Sequence, residues 1–167
     1  CKNYILREKK GKIINPSQLD STWLRKSKEL KIKNFKLLYV GRIRVEKGIY
    51  SLVNLIKNKR DISLTVVGAE KDSSYKINQS NVKIFPTQNN KNKLIKFYDD
   101  HNILILPSFT EGHPMVLLEA LARRRPVIIF DEIKHVIGNK KGIFISRRNF
   151  LSFFGTLNNI KKNYKKI

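Results

Sequence analysis

The sequence predicts an α/β fold: a doubly wound parallel sheet of about six strands with helices on both faces. Three observations carry this. Short, almost uniformly apolar runs such as Ile103-Leu104-Ile105-Leu106 and Val127-Ile128-Ile129-Phe130 mark strands buried on both sides. These runs alternate with stretches whose apolar residues recur every three or four positions, the period of a helix. The runs also stop at backbone breakers, as at Gly41, Gly68, Pro86 and Pro107. Strand–helix alternation with right-handed crossovers gives one sheet covered on both faces.

Taken in order, residues 1–34 are polar, with a turn signal at Asn15-Pro16-Ser17, and read as a lead-in or hinge in which Trp23 and Leu24 pack one short helix. Residues 35–40 form the first strand. Glu46 to Arg60 follows as a helix, with Ile49, Leu52, Val53 and Ile56 on one stripe. Strands are expected over 62–67 and 82–85, then a helix over 91–101 through Leu94, Ile95 and Tyr98. The next strand is 103–106. A helix over 114–124 opens with Pro114, where a missing N–H costs nothing. Strands over 127–130 and 142–145 and a final helix over 149–166 complete the chain. That gives a lead-in (1–34), a sheet domain (35–148) and a carboxy-terminal amphipathic helix (149–167) carrying Phe150, Phe153, Phe154, Leu157, Ile160 and Tyr164 on one stripe.

Composition narrows the function. The 167 residues carry 35 Lys and Arg against 13 Asp and Glu, a formal charge of +22. Such a surface suits nucleic acid, anionic lipid or a phosphorylated ligand. Yet Lys, Ile and Asn together make up 62 of the 167 residues. Their codons are all A/T-rich, and binding polyanions would not enrich Ile or Asn. The Lys are also scattered, and no nucleic-acid motif accompanies them. A single cysteine, Cys1, excludes an internal disulfide framework and a cysteine-rich zinc site. No apolar run approaches the roughly 18–20 residues that span a bilayer. The start at Cys1 has no initiator Met and no signal-peptide pattern, and reads as the cut end of something larger.

In doubly wound sheets ligands bind at the carboxyl ends of the strands, so the residues after Val40, Val67, Phe85 and Leu106 matter most. After the first strand, Gly41 permits a tight turn, and Arg42 and Lys47 put two cations at a strand end and helix start. That set suits a phosphate or diphosphate, and equally a solvated loop. It is neither a Walker loop nor a G-x-G-x-x-G fingerprint. After the fourth strand, Gly112 leaves an open backbone beside the amides of His113 and Met115. Glu111 precedes the helix and Glu119 lies within it, roughly 7–8 Å along from Pro114. Two such carboxylates suit the hydroxyl groups of one extended ligand, or else a helix-start acid and a solvated face.

Gly41-Arg42-x4-Lys47-Gly48, followed by Pro107-Ser108-x2-Glu111-Gly112-x-Pro114-x2-Leu117-Leu118-Glu119-Ala120-x-Ala122-x3-Pro126-Val127, resembles the donor-binding half of GT-B retaining glycosyltransferases. More narrowly, it is similar to the group 1 family with its E-x7-E motif, here Glu111 and Glu119. The resemblance implies a Rossmann-like domain that binds a nucleotide-sugar. Arg42 and Lys47 would clamp the donor diphosphate, Glu111 would contact the transferred sugar, and Glu119 would hold the ribose. Gly41 and the Gly112–His113–Pro114–Met115 segment would line the substrate site, with Phe85 and Pro86 against the base. Catalysis falls to Glu111, Arg42 and Lys47, with no metal and no cofactor beyond the nucleotide-sugar co-substrate. The implied reaction retains configuration and moves a sugar to a glycan or lipid-linked acceptor in surface polysaccharide or glycolipid synthesis. The acceptor site would belong to an absent amino-terminal domain, so that this chain alone is a fragment inactive in turnover. The implied location is cytoplasmic and no nucleic-acid partner is expected; the remaining excess charge reads either as drift toward A/T-rich codons or as attraction to anionic lipid that holds the protein peripherally on the inner membrane face. Two departures stand out. His113-Pro114 follows the Glu-Gly pair where the family often has an aromatic residue and then Gly or Pro, and Arg124 stands where the family usually has a helix-ending Gly. The alternatives are a non-catalytic nucleotide-sugar-binding module and a basic nucleic-acid-binding protein.

Overall fold

The computed structural model describes residues 19–24, 35–70, 77–138 and 140–164. The Asn15-Pro16-Ser17 turn, most of the lead-in and the last three residues lie outside the described residues. Six strands form one sheet: β1 (Lys36–Val40), β2 (Ser63–Ala69), β3 (Val82–Pro86), β4 (Ile103–Leu106), β5 (Val127–Phe130) and β6 (Ile143–Ser146). Four α-helices flank it: α1 (Ile49–Leu55), α2 (Lys91–Asp100), α3 (Met115–Ala122) and α4 (Phe150–Asn163). Two short 3-10 helices, Val45–Lys47 and Asp131–Val136, follow β1 and β5.

Every strand pair is parallel, and the order is β3-β2-β1-β4-β5-β6. The chain winds outward from β1 to β3, then returns to the centre and winds the other way from β4. The reversal lies between β1 and β4, where Leu37 pairs with Ile103. This is the doubly wound sheet that the apolar runs predict.

Alternation along each strand splits the core in two. Leu37, Tyr39, Leu64, Val66, Ile105 and Ile128 face one side, against Ile49 and Leu52 of α1 and Phe153, Leu157 and Ile160 of α4. Leu38, Val67, Leu104, Leu106 and Ile129 face the other, against Tyr98 of α2, Leu117 and Ala120 of α3, and Trp23. Each fully buried Leu or Ile contributes about 1.5–3 kcal/mol, so both layers are needed to hold the sheet.

The structure differs from the sequence reading in three places. The expected helix over 46–60 is broken: Gly48 adopts φ +65°, separating a 3-10 turn from α1, and the helix ends by Ile56. Residues 21–24 form a turn in which Trp23 is buried edge-on to Tyr98 at 5.6 Å, while Leu24 is exposed. The stripe of α4 packs on this chain's own sheet, leaving Phe150 half-exposed with the Lys59 ammonium 4.7 Å from the centre of its ring.

Arg123-Arg124-Arg125 reads in sequence as three cations offsetting a strained helix end through the dipole. Arg124 does take the left-handed conformation, φ +54°, with its side chain exposed. Its neighbours are buried instead. Arg123 grips Asp99 with two hydrogen bonds of 2.9 and 2.8 Å and donates to the Trp23 carbonyl at 2.9 Å. Arg125 donates to the carbonyls of Tyr98 and Asp99 at 2.9 and 3.1 Å. These cations therefore close the carboxyl end of α2, not their own helix. No helix among the described residues is long and apolar enough to cross a membrane.

Candidate functional site

The residues after β1 and β4 meet at the switch point. Tyr39 folds back from β1, and its hydroxyl donates to the Arg42 carbonyl at 2.7 Å. Burial, reinforced by the charges of Glu111 and Glu46, pushes the phenol's pKa up and keeps it a donor. The Gly41 amide bonds the Val67 carbonyl at 2.9 Å, so the loop leaves β1 tied to β2. Arg42 then stands exposed.

Gly48 is required here twice over. Its φ of +65° suits glycine, and a Cβ would lie 1.9 Å from the Pro107 carbonyl oxygen. That close approach presses the loop after β1 against the loop after β4. The Phe109 amide completes the contact by donating to the Glu46 carbonyl at 3.0 Å.

Across this seam lies the polar centre of the site. Lys47 Nζ is 2.7 Å from Glu111 Oε1, and Ser108 Oγ donates to the same oxygen at 2.6 Å. The Lys47 and Glu111 side chains are 26% and 11% exposed, so the pair is shielded enough to count. The ring N–H of His135, from the turn after β5, donates to the Glu111 backbone carbonyl at 2.7 Å. Glu111 is thus held at both ends, by three segments.

A cleft of about 300 Å³ opens at this point. Of the residues singled out in the sequence, Gly41, Arg42, Lys47, Glu111, His113, Pro114 and Met115 line it. Gly112 is exposed in the same segment, and a Cβ there would meet nothing in the protein. Nothing in the chain itself therefore demands glycine at that position. α3 begins at Met115 with Pro114 as its cap residue, and no side chain caps its first amides.

Glu119, Phe85 and Pro86 do not line this cleft. Glu119 is neither solvated nor free, as the plainer reading of its helix face would have it. Its Oε2 accepts from the Tyr98 hydroxyl at 2.6 Å. Burial raises the pKa of its carboxyl, and the Tyr98 hydrogen bond partly opposes the rise. Phe85 packs edge-on to Phe97 at 5.0 Å and borders a larger groove of about 630 Å³ between α2 and the β2–β3 edge. That groove holds none of the residues after β1 or β4, so its size does not make it the better site. Among the described residues, no three His, Cys, Asp or Glu side chains gather as a metal site would need.

Sequence reasoning assigned no role to Ser108, Tyr98, His135 or Arg148. Ser108 had a signal, since it stands directly after a strand and three residues before Glu111. The others act through contacts between distant segments that no local pattern displays.

The family model described as Glycosyl transferases group 1 matches residues 20–166. The capsular polysaccharide biosynthesis glycosyltransferase CapM of Staphylococcus aureus is 32% identical over 149 residues, a match covering 80% of this chain and 38% of that protein. The chain therefore spans about two fifths of the length of that curated relative. The C-terminal domain of LpcC, a glycosyl transferase group 1 family protein from Francisella tularensis, has a similar structure at TM-score 0.68 and 16% identity, over 89% of this chain and 90% of that one. HepE of Anabaena, solved in complex with UDP and glucose, gives a TM-score of 0.67 at 14% identity, over 80% of this chain and 40% of that one.

Proposed function

Because the chain belongs to the Glycosyl transferases group 1 family, we propose that it is the donor-binding part of a retaining enzyme that transfers sugar from a nucleotide-diphospho-sugar. The observation that carries this is the convergence of Lys47, Ser108 and Glu111 beside exposed Arg42, at the switch point between β1 and β4. An anionic ligand with hydroxyl groups needs both a cation and a carboxylate acceptor within reach. This cleft offers both, next to helix amides that no side chain caps.

In this reading the donor diphosphate lies between Arg42 and Lys47. Negative charge grows on the leaving diphosphate as the glycosidic bond breaks, and the two cations stabilise it without a metal ion. Lys47 moves from Glu111 to the diphosphate on binding, which frees Glu111 to accept from a hydroxyl of the transferred sugar. The open space at Gly112 admits the sugar or phosphate close to the backbone, with His113 and Met115 beside it. Glu119, one turn along α3 from Met115 and Val116 of the cleft wall, would hold the ribose through Oε1 while Oε2 keeps the Tyr98 hydroxyl. Phe85 and Pro86 stand two strands out from β1, roughly 9–10 Å away at ordinary strand spacing, a span that a nucleoside can bridge to reach them with its base.

The acceptor site and turnover require a preceding domain, in line with the two-fifths share of CapM that this chain matches. CapM's name supports a polysaccharide acceptor. We place the enzyme in the cytoplasm, on the inner membrane face, with its excess positive charge toward anionic lipid.

Titration calorimetry with UDP-, GDP- and ADP-sugars tests the reading. One of them should bind, and an Arg42→Ala/Lys47→Ala double variant should lose at least tenfold in affinity while still folding. Unchanged affinity in that variant sinks the diphosphate assignment.

A further inference from the structure

Arg148 follows β6, outside every motif considered so far. Its side chain is 15% exposed and lies between two aromatic rings, its guanidinium carbon 4.0 Å from the centre of Phe109 and 4.4 Å from that of Phe130. A guanidinium so stacked is fixed in plane, and its fork then points in defined directions.

Each arm of the fork reaches a different segment of the site. Nη1 donates to Ser51 Oγ at 2.8 Å, in α1, one turn after Gly48. Nη2 donates to the Ser108 carbonyl at 3.3 Å. Nε donates to Glu132 Oε1 at 2.8 Å. Those segments adjoin or contain the ones that converge on Glu111: α1 continues across Gly48 from the 3-10 turn carrying Lys47, Ser108 itself bonds Glu111, and Glu132 shares its turn with His135. The same Nη1 would lie 3.0 Å from a Cβ on Gly48, so Arg148 also packs on the seam between the two loops.

We propose that Arg148 is a positioning residue that sets the geometry of Lys47, Ser108 and Glu111 for the donor. The proposal rests on the reading of the cleft as a nucleotide-sugar site. Arg148 touches no cleft group that would meet the donor through its own side chain. It acts through Ser108, through Ser51 and the helix start, and through the Glu132–His135 turn. A lysine would keep the charge and lose two of the three arms as well as the flat stacking.

The test is a double-mutant cycle on the 167-residue chain, read by calorimetry with UDP, GDP and ADP well below the melting temperature of every variant. Arg148→Met should weaken the nucleoside diphosphate that binds the wild type about tenfold, and Arg148→Lys should recover less than threefold of that. Ser108→Ala keeps the carbonyl that Arg148 bonds but removes the hydroxyl that relays its position to Glu111, so in that background the same Arg148→Met change should cost less than threefold. A merely structural Arg148 gives losses that multiply independently, and that result overturns the proposal. Wild-type affinity in Arg148→Met overturns it as well. Should Arg148→Met fail to fold, Arg148→Lys carries the same cycle. A wild-type chain that binds none of the three diphosphates overturns the donor-site reading, and the proposal falls with it.

Discussion

The hydroxyl of Tyr98 donates to Glu119 Oε2 at 2.6 Å, joining α2 to α3 across the sheet face that also holds Trp23. Burial raises both pKa values, Tyr98 further through the neighbouring carboxylate. A carboxyl raised in the folded state contributes most below its unfolded pKa, and the contribution is lost as pH rises through the folded value. Thermal melts of Glu119→Gln should therefore lack part of the wild type's decline between acid and neutral pH. Tyr98→Phe removes a bond that favours the ionised form, so it should deepen the decline and cost about 1–2 kcal/mol at neutral pH. Identical pH slopes in the three proteins would contradict this.

His101 titrates in the opposite sense. Its Nδ1–H donates to the Phe97 carbonyl at 2.6 Å, which in the neutral ring leaves Nε2 to accept from the Thr65 hydroxyl at 2.7 Å. Burial lowers its pKa. A depressed imidazole stabilises above its unfolded pKa, about 6.5, and that stability is lost as pH falls below it. Denaturant midpoints measured from pH 7.5 down to pH 5 should fall in the wild type and fall less in His101→Gln.

Arg124 occupies φ +54° with an exposed side chain. Glycine adopts this conformation without the Cβ clash, so Arg124→Gly should stabilise the chain by about 0.5–1 kcal/mol. A rise in melting temperature checks it. Arg123 and Arg125 are different, since each is anchored in the interior.

Gly48→Ala should do the reverse. The added methyl meets the Pro107 carbonyl oxygen at 1.9 Å and the φ is unfavourable, so the two loops must part. A loss of about 3 kcal/mol in denaturant unfolding is expected, together with loss of nucleoside-diphosphate binding. Full affinity in a folded Gly48→Ala would show that the seam does not shape the cleft.

The inner strands β1, β2, β4 and β5 were legible because burial on both faces leaves short apolar runs, while the edge strands β3 and β6 are only partly buried and showed through the breakers beside them, Pro86 and Gly142. The break at Gly48 was not, since Ile49, Leu52, Val53 and Ile56 keep a helical spacing whether or not the first turn is helical. Charge misled in one place. Arg123 and Arg125 look like surface cations until Asp99 and the end of α2 come into view. For the candidate site, the residues after β1 and β4 were identifiable one by one. Their meeting depends on β4 returning beside β1, and the partnership of Tyr98 with Glu119 depends on α2 lying beside α3. Those are facts of topology, not of spacing.

The unequal exposure of Arg42 and Lys47 separates the two cations in time. Arg42 stands in solvent, while Lys47 is engaged with the Glu111 oxygen that Ser108 also holds. On the proposed donor reading, an incoming diphosphate meets Arg42 first, and that encounter would govern how fast it arrives and how strongly added salt slows it. Lys47 would join only after exchanging partners inside the cleft, so its contribution would fall on how long the ligand stays.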